Sequence, residues 1–212
     1  MKILYYDTET TGLPNRNRSL DYPTQPYVAQ LAYLLEGDDG ELIEENDLLI
    51  KPYDDKWIMS PQSQAIHGKT REMCEEQGLP LPEVMDIFID AIVECDVLVC
   101  HNVSFDKLLL QIQAAKMDKD MQTSAIFEGK PHVCTMLAAM PICKLPKKDR
   151  KTGWKWPTLQ ETHVHFFGEQ FDGAHDAMAD ITATRRVFRE LAKIGALDEP
   201  FRKVGLEAPT YG

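Results

Sequence analysis

Cysteine is scarce and unpatterned in this chain. Cys74, Cys95, Cys100, Cys134 and Cys143 are an odd set with no CxxC pair. A disulfide scaffold and a zinc knuckle are therefore disfavoured, and a reduced, cytoplasmic protein is the expectation. Long hydrophobic runs are missing, and Asp7 and Glu9 put charge into the segment that follows Met1. Neither a membrane span nor a signal peptide is expected. There is no internal repeat and no Pro/Gly/Ser-rich linker, so 212 residues read as one domain, two at most. Positive charge is also in short supply: 23 Lys and Arg stand against 34 Asp and Glu, a net charge of −11. That balance argues against holding nucleic acid by bulk charge. It leaves room for a protein that meets phosphate through metal ions.

What is present suits a packed core, with 43% hydrophobic and 27% charged residues. Residues 2–8 read as a strand rich in Ile, Leu and Tyr. Residues 27–36 and 41–51 read as two more, joined by Gly37, Asp38, Asp39 and Gly40, a run of turn formers that signals a hairpin. The chain thus opens as a three-stranded antiparallel meander, with a long polar connection at 13–26 of the kind that often carries function. Helices follow. Pro61 starts a short one, Thr70 and Gly78 bracket another, and 82–94 form a longer amphipathic one. Residues 96–101 are a short apolar run, best read as a buried strand. Residues 104–117 return to helix, and 132–134 make a further short strand. Thr158 with Glu161 matches a capping box, closed by Gly168. The last helix spans 176–194, with Ala177, Ile181, Thr184, Phe188 and Leu191 as its inner stripe and Gly195 as its stop. Its Arg185, Arg186 and Arg189 read as the solvent face. Strands of both kinds with helices predict an α/β domain with a mixed sheet.

Several acids sit where acids are costly. Asp7 and Glu9 are i and i+2 of the first strand, so they share one face. Two bare carboxylates on a central strand would cost several kcal/mol. Either a divalent cation such as Mg²⁺ resolves that cost, or the strand stops at Tyr6 and both acids are solvated at its mouth. Asp106 lies in the first turn of a helix, where the dipole favours an acid. That turn also follows the carboxyl end of a buried strand, where α/β sheets gather their sites. Asp180 lies at the edge of the apolar stripe of the last helix, about 40° from Thr184 on the wheel. His175 fits the turn before that helix, with Asp176 as N-cap, from where it could fold over the site that Asp180 faces.

Together these residues spell out D-T-E-T-T-G at 7–12, N-V-S-F-D at 102–106 and H-D-A-M-A-D at 175–180. The set resembles the DEDDh class of 3′–5′ exonucleases, the family of the proofreading epsilon subunit of bacterial DNA polymerase III, over roughly residues 1–195. The resemblance implies an RNase H-like fold: a mixed five-stranded sheet, its first three strands antiparallel, flanked by helices. It sets 1–195 as the exonuclease domain and leaves 196–212 as a short C-terminal tail. It implies that Asp7, Glu9, Asp106 and Asp180 hold two Mg²⁺ (or Mn²⁺) ions and that His175 is the general base. Thr8 and Leu13 fall where family members contact the terminal nucleotide, Leu13 as a wedge between the last two bases. Ile66-His67-Gly68 resembles an element that lines the pocket near the phosphate. The chemistry agrees with the residue types, since two metals can serve the attacking water and the leaving oxygen and an imidazole can take the proton.

One basic segment interrupts the acidic chain. Residues 144–155 carry Lys144, Lys147, Lys148, Arg150, Lys151 and Lys155 against Asp149, with Trp154 and Trp156 at the end. Cations beside aromatics suit single-stranded nucleic acid, which makes Lys147, Lys148 and Lys151 candidate substrate contacts; a solvated loop is the alternative. The expected activity is hydrolysis at DNA 3′ ends, in single strands, releasing nucleoside 5′-monophosphates. An exoribonuclease trimming RNA and a non-catalytic nucleic-acid-binding domain on the same fold are the alternatives. All four acids and the histidine are present, which disfavours the last. No membrane partner is expected. A polymerase partner stays open, although the tail lacks the pattern of a clamp-binding motif and the chain has no room for a polymerase domain.

Overall fold

The computed structural model describes residues 1–117, 127–148 and 152–211. Its strands are β1 (Ile3–Thr10), β2 (Val28–Glu36), β3 (Leu42–Leu49), β4 (Val97–Cys100) and β5 (His132–Cys134). They form one sheet in the order β3-β2-β1-β4-β5. The first three pair antiparallel, while β4 lies parallel to β1 and β5 parallel to β4. This is the mixed five-stranded sheet that the resemblance implies. β1 is central, so both of its faces must be covered.

Side-chain alternation along β1 sorts the core into two layers. Leu4 and Tyr6 join Leu98, Val84, Phe88 and Leu109 on one face, under α3 (Leu81–Glu94) and α4 (Val103–Lys116). Ile3 and Tyr5 join Val97, Val99, Ile181, Phe188 and Leu191 on the other. There the cover is a run of four helices. These are α5 (Thr135–Cys143), α6 (Leu159–Phe167), α7 (Ala177–Lys193) and α8 (Asp198–Lys203). Tyr5 meets Phe188 edge-on at 5.4 Å, an arrangement worth about 0.5–1.5 kcal/mol beyond its area. β2 is buried at every position because helices cover both of its faces. β3 is the exposed edge, and Glu44, Glu45 and Asp47 along it discourage pairing with another chain.

The caps read from the sequence are in place. Ser60 and Thr70 cap α1 (Pro61–His67) and α2 (Arg71–Gln77). Thr158 and Glu161 form the reciprocal box at α6, and Asp176 caps α7. Two helices had no legible pattern. α5 is apolar nearly all round and carries Pro141, so no stripe marks it. α8 is only 6 residues long and lies within 196–212, yet Leu197 and Phe201 are completely buried in the core. A further correction concerns α7. Arg185 and Arg189 do not face solvent; both pair with Glu36, which is 1% exposed, and Tyr211 donates to the same carboxylate at 3.2 Å. Arg186 stacks on Phe167 and donates to His163 at 3.1 Å.

Candidate active site

β1 does not stop at Tyr6. It stays paired with β2 through Asp7↔Ala32 and Glu9↔Gln30, and the register slips only between Glu9 and Thr10. Both carboxylates therefore belong to the sheet, and Glu9 is only 9% exposed. Asp7 and Glu9 project toward α7, whereas Thr8 between them turns toward α4. The Thr8 backbone N–H and hydroxyl both donate to Asp106 Oδ1, at 3.1 and 2.7 Å, and the Cys100 thiol donates to Oδ2 at 3.1 Å. Asp106, in the first turn of α4, is thus oriented by three donors and almost fully buried.

The turn before α7 supplies the rest. Gly173 and His175 both take positive φ, 76° and 68°. This folds the chain so that the His175 backbone N–H reaches both oxygens of Asp180 at 3.3–3.4 Å. A left-handed histidine is uncommon and marks a constrained turn. The acids converge in two groups whose charges act on each other. Asp7, Cys100 and Asp106 bring ligand atoms within 4.8 Å of one another, and so do Glu9, His175 and Asp180. The His175 ring stays exposed.

Converging charge shows in the acids themselves. Burial, then the charges of Asp106, Asp180 and Glu9, hold Asp7 well above the usual carboxylate range. Glu9 is pushed up to about 8 by burial and by Asp180 and Asp106. Asp180 rises to about 7 through burial, despite the His175 N–H. Asp106 rises only to about 6, because the Cys100 and Thr8 donors offset its burial. Carboxyls this crowded and this poor in cations suit a divalent metal, and their hard oxygens match one. Lys69 is the nearby cation acting on Glu9, and its ammonium is committed to Asp176 at 2.7 Å.

The other sequence candidates fall as follows. Thr8 lies in the site, but its hydroxyl proton is used on Asp106. Leu13 is 83% exposed at the rim of a cleft of about 480 Å³ that Gln25, Tyr27, Lys56 and Ile58 help to line. His67 is buried. Gly68, at φ 72°, turns the chain so that Lys69 N–H donates to Nδ1 at 3.0 Å, which leaves Nε2 to donate to the Thr10 carbonyl at 3.0 Å. Neither ring nitrogen is left for a phosphate, and in this structure His67 ties α1 to the end of β1. Lys147 and Lys148 directly follow Pro146, which forms an antiparallel bridge with Trp154. Lys151 lies outside the described residues.

Sequence reasoning missed three supporting groups: Lys69, Cys100 and Gln30. Gln30 is 1% exposed, donates to Asp47 at 2.6 Å and accepts from Ala177 N–H at 3.4 Å. A buried amide early in a strand that is apolar from Leu31 to Leu35 was its available signal. Lys69 carried none, since Asp176 lies 107 positions away, and Cys100, six positions before Asp106, read only as one more apolar residue of a buried strand.

A central strand with paired acids, with the starts of α4 and α7 converging on them, fits a nuclease of the RNase H-like class. The profile of the RNase_T exonuclease family matches residues 4–188, and the chain belongs to that family, with the motif set of its DEDDh-type 3′–5′ members. Solved structures agree in fold. A zinc-bound complex of E. coli exonuclease I with single-stranded DNA superposes with a TM-score of 0.69 at 20% identity, covering 91% of this chain and 40% of that one. E. coli exonuclease I with a dT13 oligonucleotide gives 0.66 at 19%, covering 96% and 42%. Exonuclease I in its apo form gives 0.67 at 19%, covering 91% and 42%. The chain therefore spans about two fifths of the length of these proteins. No curated protein sequence matches it at a significant level.

Proposed function

We propose that this chain is a 3′–5′ exonuclease that removes nucleoside 5′-monophosphates from single-stranded DNA, using two Mg²⁺ or Mn²⁺ ions. The observation that carries the reading is the convergence of Asp7, Glu9, Asp106, Asp180 and His175 at the carboxyl end of the central strand. Asp7, within reach of Asp106 and feeling the charges of Asp180 and Glu9, would serve both ions. Glu9 and Asp180 would hold one ion and Asp106 the other. Bound there, the ions would supply the charge that activates water and steadies the leaving oxygen.

The chain's own groups supply the rest. Thr8 and Cys100 fix the Asp106 carboxylate and favour its ionised form. The His175 ring lies within 4.8 Å of the Glu9 and Asp180 oxygens, close enough to take a proton from a water held between them. Its backbone N–H, bonded to Asp180, sets the turn that aims it. Leu13, exposed beside an open cleft, suits an unstacked terminal base better than a paired one. Oligodeoxynucleotide complexes of exonuclease I support DNA as the substrate.

The test uses end-labelled single-stranded DNA, duplex DNA and RNA with Mg²⁺, Mn²⁺ or chelator. The expected result is stepwise shortening of single-stranded DNA from its 3′ end, with 5′-monophosphates released only when metal is present. Turnover of RNA alone would shift the reading to an exoribonuclease, and no metal-dependent product from any substrate would overturn it.

A further inference from the structure

Trp57 is completely buried, whereas Trp154 and Trp156 are 41% and 63% exposed. Tryptophan is a costly side chain to leave in water, and exposed pairs tend to mark contact surfaces. The segment that carries them runs beside residues 144–146, where Pro146 bridges Trp154 and the Lys155 N–H donates to the Leu145 carbonyl at 2.8 Å. One residue separates them, Lys155, whose ammonium pairs with Glu161 at the start of α6.

This arm is fastened at its root. The carbonyl of buried Pro157 accepts from His101 Nε2 at 3.1 Å, and His101 Nδ1 accepts from the Thr135 hydroxyl at 3.0 Å. His101 directly follows Cys100, whose sulfur lies within 4.8 Å of the Asp7 and Asp106 oxygens. The tryptophans thus stand at the same end of the sheet as the acids. Lys144, Lys147 and Lys148 make no ion pair among the described residues. Two flat π faces and ammoniums without an ion pair among the described residues, on a chain of net charge −11, suit a polyanion that presents unpaired bases.

We propose that Trp154 and Trp156 form a stacking platform for bases of a single strand upstream of the cleaved nucleotide, and that this platform favours single strands over duplexes. The proposal rests on the nuclease reading above. A duplex hides its base faces, so it can use the lysines but not the rings.

In chelator, thymidine oligonucleotides of increasing length should quench intrinsic fluorescence, strongly once they are long enough to reach the arm. Trp156→Ala should weaken binding of a long oligonucleotide about tenfold or more, and Trp156→Phe should restore most of it. With metal, the ratio of kcat/KM on a long single strand to kcat/KM on the p-nitrophenyl ester of thymidine 5′-monophosphate should fall by a similar factor in the Ala variant. Unquenched Trp57 emission and an unchanged Tm report that the variant is folded. If wild-type protein hydrolyses neither substrate, the nuclease reading fails. If it hydrolyses both and the ratio does not move in the variant, the platform is overturned. Shielding of the tryptophans from acrylamide as protein concentration rises, without oligonucleotide, would assign the arm to a second copy and overturn it as well.

Discussion

Removing divalent metal from this protein should make its stability fall as pH rises. Glu9 carries the clearest case, its carboxyl moved from 4.5 to about 8 by burial and the charges of Asp180 and Asp106. A raised carboxyl keeps its proton in the folded state at pH values where the unfolded chain has released it. The folded protein then binds more protons between about pH 4.5 and 8, so stability is full below that window and is lost across it. At about 1.4 kcal/mol per pH unit, Glu9 alone accounts for on the order of 5 kcal/mol. Asp180, at about 7, and Asp106, at about 6, share the same repulsion and overlap with it, so they are not added. For a chain of this size about 1 kcal/mol moves Tm by roughly 2–4 °C. Chelated protein should therefore lose roughly 10 °C of Tm or more between pH 5 and pH 8.5, followed by calorimetry or circular dichroism. Saturating Mg²⁺ should recover most of the loss at pH 8.5 and much less at pH 5, where protons occupy the site. Glu9→Gln should flatten the chelated profile. A chelated Tm that stays level or rises from pH 5 to 8 would refute the reasoning, because it would mean that burial and mutual charge do not hold the acids protonated.

Asp7→Asn should abolish turnover while leaving the chelated Tm unchanged or higher, and Mg²⁺ should raise the Tm of the variant less than that of wild type; equal stabilisation of both would sink the shared site. His175→Ala should lower turnover about 10²- to 10⁴-fold with the Mg²⁺-induced rise in Tm retained, and near-normal turnover would contradict its role. Glu36→Ala strips the partner from Arg185 and Arg189 and should destabilise the protein by about 3 kcal/mol, seen in urea unfolding; a change below about 0.5 kcal/mol would show that the cluster is solvated. Changing Lys147 and Lys148 together to Glu should weaken binding of long single strands and flatten its dependence on salt, measured by anisotropy from low to moderate ionic strength. A wild-type slope in that variant would make these lysines a solvated face.

Much of the site was legible because it rests on short-range periodicity. Alternation alone placed Asp7 and Glu9 on one face of β1, and the helical repeat put Asp180 at the edge of the α7 stripe. The Asp176 cap likewise set His175 in the turn, and capping chemistry placed α6 between Thr158 and Gly168. These are relations between residues two to ten positions apart, and local backbone geometry decides them. Folding alone decided the rest. Arg185 and Arg189 look like a solvent face until Glu36, 149 and 153 positions away, is brought beneath them. That His67 bonds the Thr10 carbonyl through Nε2, 57 positions away, could not be read from its local sequence. Lys69 meets Asp176 across 107 positions, and Thr8 meets Asp106 across 98. Burial and convergence, which raise the acids and select the partners of each cation, arise only when β1, β4 and α7 come together, because Coulomb interaction and desolvation depend on distance in space rather than along the chain.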